Sequence, residues 1–217
     1  MADFTVIFKS LAPLAAAGFG KFDAATVAKW ATTQVRFPNR KVSDLSPVRQ
    51  MEHWCVDQVL NSVGHGCLRI NHNRNGRPEV EGSPNIHISI AHHSIEDGCW
   101  AAIALSDVQV GIDVEAERGQ LQQIAPRFLS VSERKEIGET PAALAATWAI
   151  KECMFKSFGP ALDLRQDMEV VWPGLKRACK SGVIGRVHGT EWRYRIEPLR
   201  NDAGHTPVWL ALGPVLD

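Results

Sequence analysis

The sequence is poor in the features that assign a role most readily. It carries no excess of either charge, since 24 lysines and arginines balance 24 aspartates and glutamates. Composition therefore gives no basis for bulk attraction to nucleic acid or to an anionic membrane. No apolar run approaches the roughly 20 residues that a spanning helix needs. The start of the chain lacks a basic lead, and its mildly apolar patch, Leu11–Phe19, is broken by Pro13. No signal peptide is expected. The five cysteines, Cys55, Cys67, Cys99, Cys153 and Cys179, are scattered and show no metal-type spacing. They read as reduced thiols packing as small hydrophobes in a cytoplasmic protein. There is no strong internal repeat and no low-complexity segment.

What is present is organised around one helix. Thr140 is a good N-cap, Pro141 suits the first helical position, and Gly159-Pro160 is a stop signal. The helix is apolar almost all round, which implies burial. It nevertheless carries Glu152 and Lys156, four residues apart on the face beside Trp148. A part-buried pair of this kind is costly unless a partner or ligand compensates it. The second informative stretch is Val108–Glu115, an alternating strand that places Asp113 and Glu115 on one face with Gly111 beside them. Neighbouring carboxylates repel, a divalent cation relieves that repulsion, and Gly111 leaves room for something bulky. Two solvated acids on a half-exposed strand are the plainer alternative.

Other expected elements are more ordinary. Strands are expected at Phe4–Phe8, Ile86–Ile90 and Trp100–Leu105, and hairpin structure at Cys67–Ile70 with a turn at Asn73–Gly76. Residues 11–22 read as a connection and Arg36–Lys41 as a solvated basic loop. Helices are expected at Asp23–Thr32, from Ser46-Pro47 to Gly64, at Leu121–Phe128 and from near Glu133, the last capped by Ser130 or Ser132. Arg49 falls in the first turn of the second helix, the wrong end for the helix dipole unless an anion is near. The tail reads as strands at Val170–Trp172, Gly182–Val187, Trp192–Pro198 and Val208–Leu212, with turns at Pro173-Gly174, His188-Gly189 and Asn201-Asp202.

Gly111-Ile112-Asp113-Val114-Glu115, followed by Trp148-x-x-Lys151-Glu152-x-x-x-Lys156, resembles the signature of the 4′-phosphopantetheinyl transferases. Gly76-Arg77-Pro78, Ser89-Ile90-Ala91-His92-His93 and Phe128-Leu129-Ser130-x-x-Glu133 are similar to further elements of that family, and all five occur in the family's order. Length resembles the surfactin type. That implies an α+β fold of two similar lobes, each a small mainly antiparallel sheet packed with helices, forming an intramolecular pseudodimer. The lobes would be residues 1–105, on the 3′-phosphate and adenine side of coenzyme A, and residues 106–217, with the metal and catalytic residues.

The resemblance also implies roles. Asp113, Glu115 and Glu152 would bind Mg²⁺. Glu152 is also the candidate base for a carrier-protein serine, which attacks the β-phosphate of coenzyme A and releases 3′,5′-ADP. Lys156 would stabilise charge on the pyrophosphate, and Lys151, the first lysine of the motif, would be catalytic with Glu152 and Lys156. Arg49, Arg77 and His92 match positions that hold the 3′-phosphate and adenine. The implied partner is an apo acyl, peptidyl or polyketide carrier protein, with no nucleic acid and no membrane, and the protein would be monomeric. Ala91 stands where the family usually has serine and Cys153 where it has alanine or serine. Two alternatives are a non-catalytic homologue that binds coenzyme A or a carrier, and a Mg²⁺-dependent phosphohydrolase using the same acids.

Overall fold

A computed structural model of the chain describes residues 4–11, 14–21, 23–96, 98–200 and 207–215. The expected turn at Asn201-Asp202 lies outside them. The chain divides into two compact units, Met1–Val108 and Gln109–Asp217. Both are α+β, with antiparallel sheets.

In the first unit, strands β1 (Phe4–Leu11), β2 (Leu14–Lys21), β5 (His87–Ile95) and β6 (Gly98–Ser106) form a sheet in the order β1-β2-β6-β5. Helix α1 (Ala24–Thr33) is capped by Asp23, whose carboxylate accepts from the Ala25 and Thr26 amides. A short 3₁₀ turn, Val42–Asp44, precedes α2 (Pro47–Ser62), capped by Ser46 with Pro47 in its first turn. A hairpin of β3 (Ile70–His72) and β4 (Pro78–Val80) lies between α2 and β5. Strand β2 corrects the expectation of a connection at 11–22. It contains no β-branched residue, so propensity conceals it. Its small residues serve contact: a Cβ on Gly20 would lie 2.7 Å from the Trp54 ring of α2, and one on Gly18 2.6 Å from the Thr5 carbonyl of β1.

Arg36 corrects the expectation of a solvated loop. It is buried, its Nε donates to Asp57, and its other nitrogens bond Asn61 Oδ1 and the carbonyls of His65, Gly66 and Leu68. Every donor is used, which is how a buried guanidinium is tolerated. The start of the loop is thereby pinned to α2, while Pro38, Asn39, Arg40 and Lys41 are exposed as expected.

In the second unit, β7 (Gly111–Ala116), β8 (Met168–Val171), β9 (Val183–Val187), β10 (Thr190–Leu199) and β11 (Val208–Gly213) form a sheet ordered β7-β11-β10-β9-β8. Helices α3 (Gln120–Phe128) and α4 (Val131–Ile137) lead to α5 (Pro141–Phe158), and α6 (Leu175–Ser181) joins β8 to β9. The sequence reading lacks α6, because only seven residues between two glycines carry it. Of the two serines considered, Ser130 caps α4, in a reciprocal box with Glu133. Helix α5 begins and ends where its caps place it, with Thr140 accepting from the Ala143 amide and Gly159 at φ +106°. Its Ala146, Ile150, Cys153 and Met154 are fully enclosed.

Gly111 explains how closely α5 lies on β7. A Cβ there would sit 2.0 Å from the Cys153 carbonyl oxygen and 2.6 Å from Ser157 Oγ. The room expected beside Gly111 is thus filled by the helix backbone and not by a ligand. Ser157 Oγ also donates to the Gly213 carbonyl at 3.1 Å, fastening the end of α5 to β11.

Candidate functional site

The second unit brings four of the sequence-selected residues together. Side chains alternate along a strand, so Gly111, Asp113 and Glu115 of β7 share the α5 face. The two acids are not solvated: Asp113 is 8% and Glu115 4% exposed. Asp113 Oδ1 accepts from Lys156 Nζ at 2.6 Å, and the same ammonium reaches the Ile112 carbonyl at 3.2 Å. Lys156 is therefore tied to β7 and not to Glu152 on its own helix. Glu115 accepts from the Ala116 amide at 3.0 Å and from Arg118 at 3.1 Å. Glu152 is half-buried and has no hydrogen-bond or ion-pair partner among the described residues.

The electrostatics follow from this crowding. Burial raises the Glu115 carboxyl from its ordinary 4.5 to about 7; Arg118 opposes the rise and the Asp113 charge adds to it. Burial likewise raises Glu152, again with Asp113 adding and Lys156 opposing. Three carboxylates thus share a low-dielectric region, and burial outweighs their neighbouring cations for both glutamates. Their oxygen donors suit a hard dication such as Mg²⁺. Among the described residues, however, no three His, Cys, Asp or Glu side chains already converge as a ready-made metal cage. The fit is one of donor chemistry and of an unpartnered carboxylate.

Lys151 is the correction. It is fully buried and does not reach these acids. Its ammonium donates to Glu133 Oε2 at 2.9 Å, the Leu164 carbonyl at 2.8 Å and the Met168 carbonyl at 2.9 Å. Glu133 is satisfied in turn by the Ser130 amide at 2.8 Å and the Val170 amide at 2.9 Å. Burial pulls the Lys151 ammonium below its ordinary 10.5 and Glu133 opposes that. The pair fastens α4, α5 and β8 to one another. It positions the helix that carries Glu152 and Lys156, and leaves Lys151 no free donor for a substrate.

The first unit holds the other set. Arg49 and His92 meet at an acid the sequence reading did not select, Glu52. Glu52 Oε2 accepts from Arg49 at 2.8 Å, and Oε1 lies 3.3 Å from His92 Nδ1 and accepts from Ser94 Oγ at 3.1 Å. The anion that Arg49 needs at its helix start is therefore supplied three residues along by Glu52. Burial acts to raise Glu52, but His92 and Arg49 outweigh it and bring the carboxyl down to about 2. Arg40, His53 and His72 line the same small pocket. Burial lowers His53 to about 4, with Arg40, His92 and His72 adding repulsion; burial and Arg40 lower His72. With both imidazoles held neutral, Arg40 and Arg49 are the pocket's permanent cations, and they favour an incoming anion. Arg77 is not among them. It lines a separate hollow with Asn73 and His87, where Asn73 Oδ1 accepts the Arg77 amide at 3.0 Å. Ala91 is buried, and Ser94, two residues past His92 on the same strand face, offers its hydroxyl to Glu52.

Glu52 could have been found from its i,i+3 spacing to Arg49. Arg40 and His72 carried no pattern, because only the fold brings their loops together.

Comparison with known proteins supports the family resemblance in the second unit. Residues 109–206 match the model of the 4′-phosphopantetheinyl transferase superfamily. The chain is 31% identical over 93 residues to the 4′-phosphopantetheinyl transferase psf-1 of Bacillus pumilus, covering 41% of this chain and 38% of that protein. It is 29% identical over 105 residues to the 4′-phosphopantetheinyl transferase Sfp of Bacillus subtilis, covering 46% of this chain and 45% of that protein. These matches span less than half the length of each relative. The family match covers three of the five motifs, those in the second unit; Gly76-Arg77-Pro78 and Ser89–His93 lie outside it.

Proposed function

We propose that the protein transfers the 4′-phosphopantetheine group of coenzyme A to a serine of an apo acyl, peptidyl or polyketide carrier protein. Glu152 carries the proposal: a part-buried carboxylate with no hydrogen-bond or ion-pair partner among the described residues, near Asp113 and on the helix that also carries Lys156. Asp113, Glu115 and Glu152 would hold Mg²⁺. When bound, the ion supplies positive charge against the pyrophosphate.

The chain's own residues do the rest. Lys156, anchored on Asp113, sets a second positive charge beside that pyrophosphate, where negative charge grows as the leaving group departs. Glu152 takes the proton of the incoming serine hydroxyl. The hydroxyl oxygen bonds to the β-phosphorus, the bond from that phosphorus to the bridging oxygen breaks, and 3′,5′-ADP leaves with the electron pair. Desolvation, which raises Glu152, makes it a better proton acceptor than a surface carboxylate. In the first unit, Arg49 and His92 exchange Glu52 for the 3′-phosphate, and Arg77 serves the adenine end. Lys151 holds α5 in place. The boundary proposed between the two functional halves, residues 105–106, lies within three residues of the division between the compact units at Val108 and Gln109. The protein acts as a cytoplasmic monomer; no helix among its described residues is long and apolar enough to cross a membrane.

The test is incubation with coenzyme A, Mg²⁺ and a panel of apo carrier proteins, read by intact mass. The expected result is a carrier gain of one phosphopantetheine with 3′,5′-ADP released. No modified carrier across a broad panel overturns the proposal. Phosphate release without carrier modification would instead point to a phosphohydrolase.

A further inference from the structure

Glu52 has no part in the chemistry proposed above, yet it stands in the pocket proposed for the 3′-phosphate. It occupies the second turn of α2 and is buried. Both of its oxygens are engaged: Oε2 accepts from Arg49 at 2.8 Å, and Oε1 accepts from Ser94 Oγ at 3.1 Å and faces His92 Nδ1 at 3.3 Å. Its carboxyl, held down to about 2, carries a full negative charge at neutral pH. A phosphate that came to Arg49 and His92 would therefore meet a carboxylate already bound to them.

The space leaves no way round this. The pocket lined by Arg40, Arg49, Glu52 and His92 measures about 70 Å³, about the volume that two waters take in the liquid. A phosphate group there lies against the carboxylate and not beyond it. His53 adds no compensating charge: burial keeps it neutral, and its Nδ1 donates to the Arg49 carbonyl at 2.8 Å. Of the two permanent cations, Arg49 is paired with Glu52, and Arg40 makes no ion pair among the described residues. Like charges repel more strongly where water is excluded. A neutral hydroxyl meets no such repulsion, because it can donate to a carboxylate oxygen.

We propose that Glu52 is a specificity-determining residue: by holding Arg49 and His92 in the phosphate's place, it lowers the preference for a cofactor with a 3′-phosphate over one with a free 3′-hydroxyl. Specificity is the difference of two affinities, so a group that penalises one ligand alone narrows it. With the 3′-hydroxyl cofactor the serine oxygen bonds to the β-phosphorus as before, the bond to the bridging oxygen breaks, and 5′-AMP leaves in place of 3′,5′-ADP. This role for Glu52 rests on the coenzyme A function proposed above.

The experiment is calorimetry of the unaltered protein, Glu52→Gln and Arg40→Gln with coenzyme A and with 3′-dephospho-coenzyme A. It is run at low ionic strength and well below the Tm of each protein. The quantity read is the preference, the Kd for the dephospho form divided by the Kd for coenzyme A. In the unaltered protein it should stay within about tenfold; a preference well above that overturns the proposal without recourse to a variant. Glu52→Gln keeps the shape and an acceptor oxygen but removes the charge, and should raise the preference about tenfold or more. A fall would make Glu52 an orienting group for Arg49 and His92, and overturns the proposal, as does no change. Arg40→Gln, at an exposed position, should lower the preference; an unchanged value takes the phosphate out of this pocket and overturns the proposal too. If the unaltered protein transfers phosphopantetheine from coenzyme A and these tests fail, only the role of Glu52 falls. If it binds neither nucleotide and modifies no carrier, the transferase function falls as well.

Discussion

The two units each place a buried acid on or beside a long capped helix, and they treat it in opposite ways. Glu52 on α2 is surrounded by Arg49, His92 and Ser94, so burial is more than compensated and its carboxyl falls to about 2. On the β7–α5 face, Asp113, Glu115 and Glu152 share Lys156 and Arg118, and burial raises both glutamates. In the first arrangement the neighbouring cations prevail over burial; in the second burial prevails for both glutamates. The same chemistry of buried carboxylates thus yields a depressed carboxyl in one unit and raised ones in the other.

The largest expected effect bears on the second unit. Asp113→Ala should lower carrier modification by about a thousandfold, near 4 kcal/mol of transition-state stabilisation, with circular dichroism unchanged. Turnover near that of the unaltered protein would remove Asp113 from the site. Next is Lys151→Ala, which leaves Glu133 buried and unpaired. It should cost about 3–5 kcal/mol of folding stability by urea denaturation, whereas Lys156→Ala, at a half-exposed position, should cost far less. A small loss at Lys151 would return it to the list of catalytic candidates.

The opposed pKa shifts give opposed pH dependence. Glu52 binds its proton more weakly folded than unfolded, so its stabilisation is present above pH 4.5 and is lost as pH falls towards 2. Glu115 binds its proton more tightly folded, so in metal-free protein its contribution is favourable below pH 4.5 and is lost as pH rises through about 7. Each shift corresponds to an effect on the order of 3 kcal/mol. Glu52→Gln should therefore flatten the acid side of the stability–pH curve, and Glu115→Gln the neutral side. Identical curves for both variants would erase the contrast between the units. The smallest effect is expected from His92→Ala, with a KM for coenzyme A raised about tenfold and kcat little changed; a fall in kcat alone would detach His92 from the cofactor.

Much of this arrangement is legible in the sequence where its cause is local. Helix α5 declares itself through Thr140, Pro141 and Gly159, and the shared face of Asp113 and Glu115 follows from strand alternation. Less legible is anything set by tertiary contact. Strand β2 is hidden by its alanines and glycines, which are chosen for close packing and not for strand propensity. Gly111 looks like space for a ligand, but its missing side chain admits the backbone of α5. Lys151 adjoins Glu152 in sequence, yet the turn between successive helical residues sends it into the core, to Glu133. The pocket at Glu52 joins α2, β3, β5 and the loop of Arg40, and no spacing along the chain announces that meeting.

The contrast between the units is tested most directly by counting bound Mn²⁺, as a paramagnetic substitute for Mg²⁺, by electron paramagnetic resonance in the presence of coenzyme A. The unaltered protein and Glu52→Gln should each bind one ion at the same site, while Asp113→Ala and Glu152→Ala should bind none at matched concentration. Undiminished Mn²⁺ binding in both of those last variants would contradict the account.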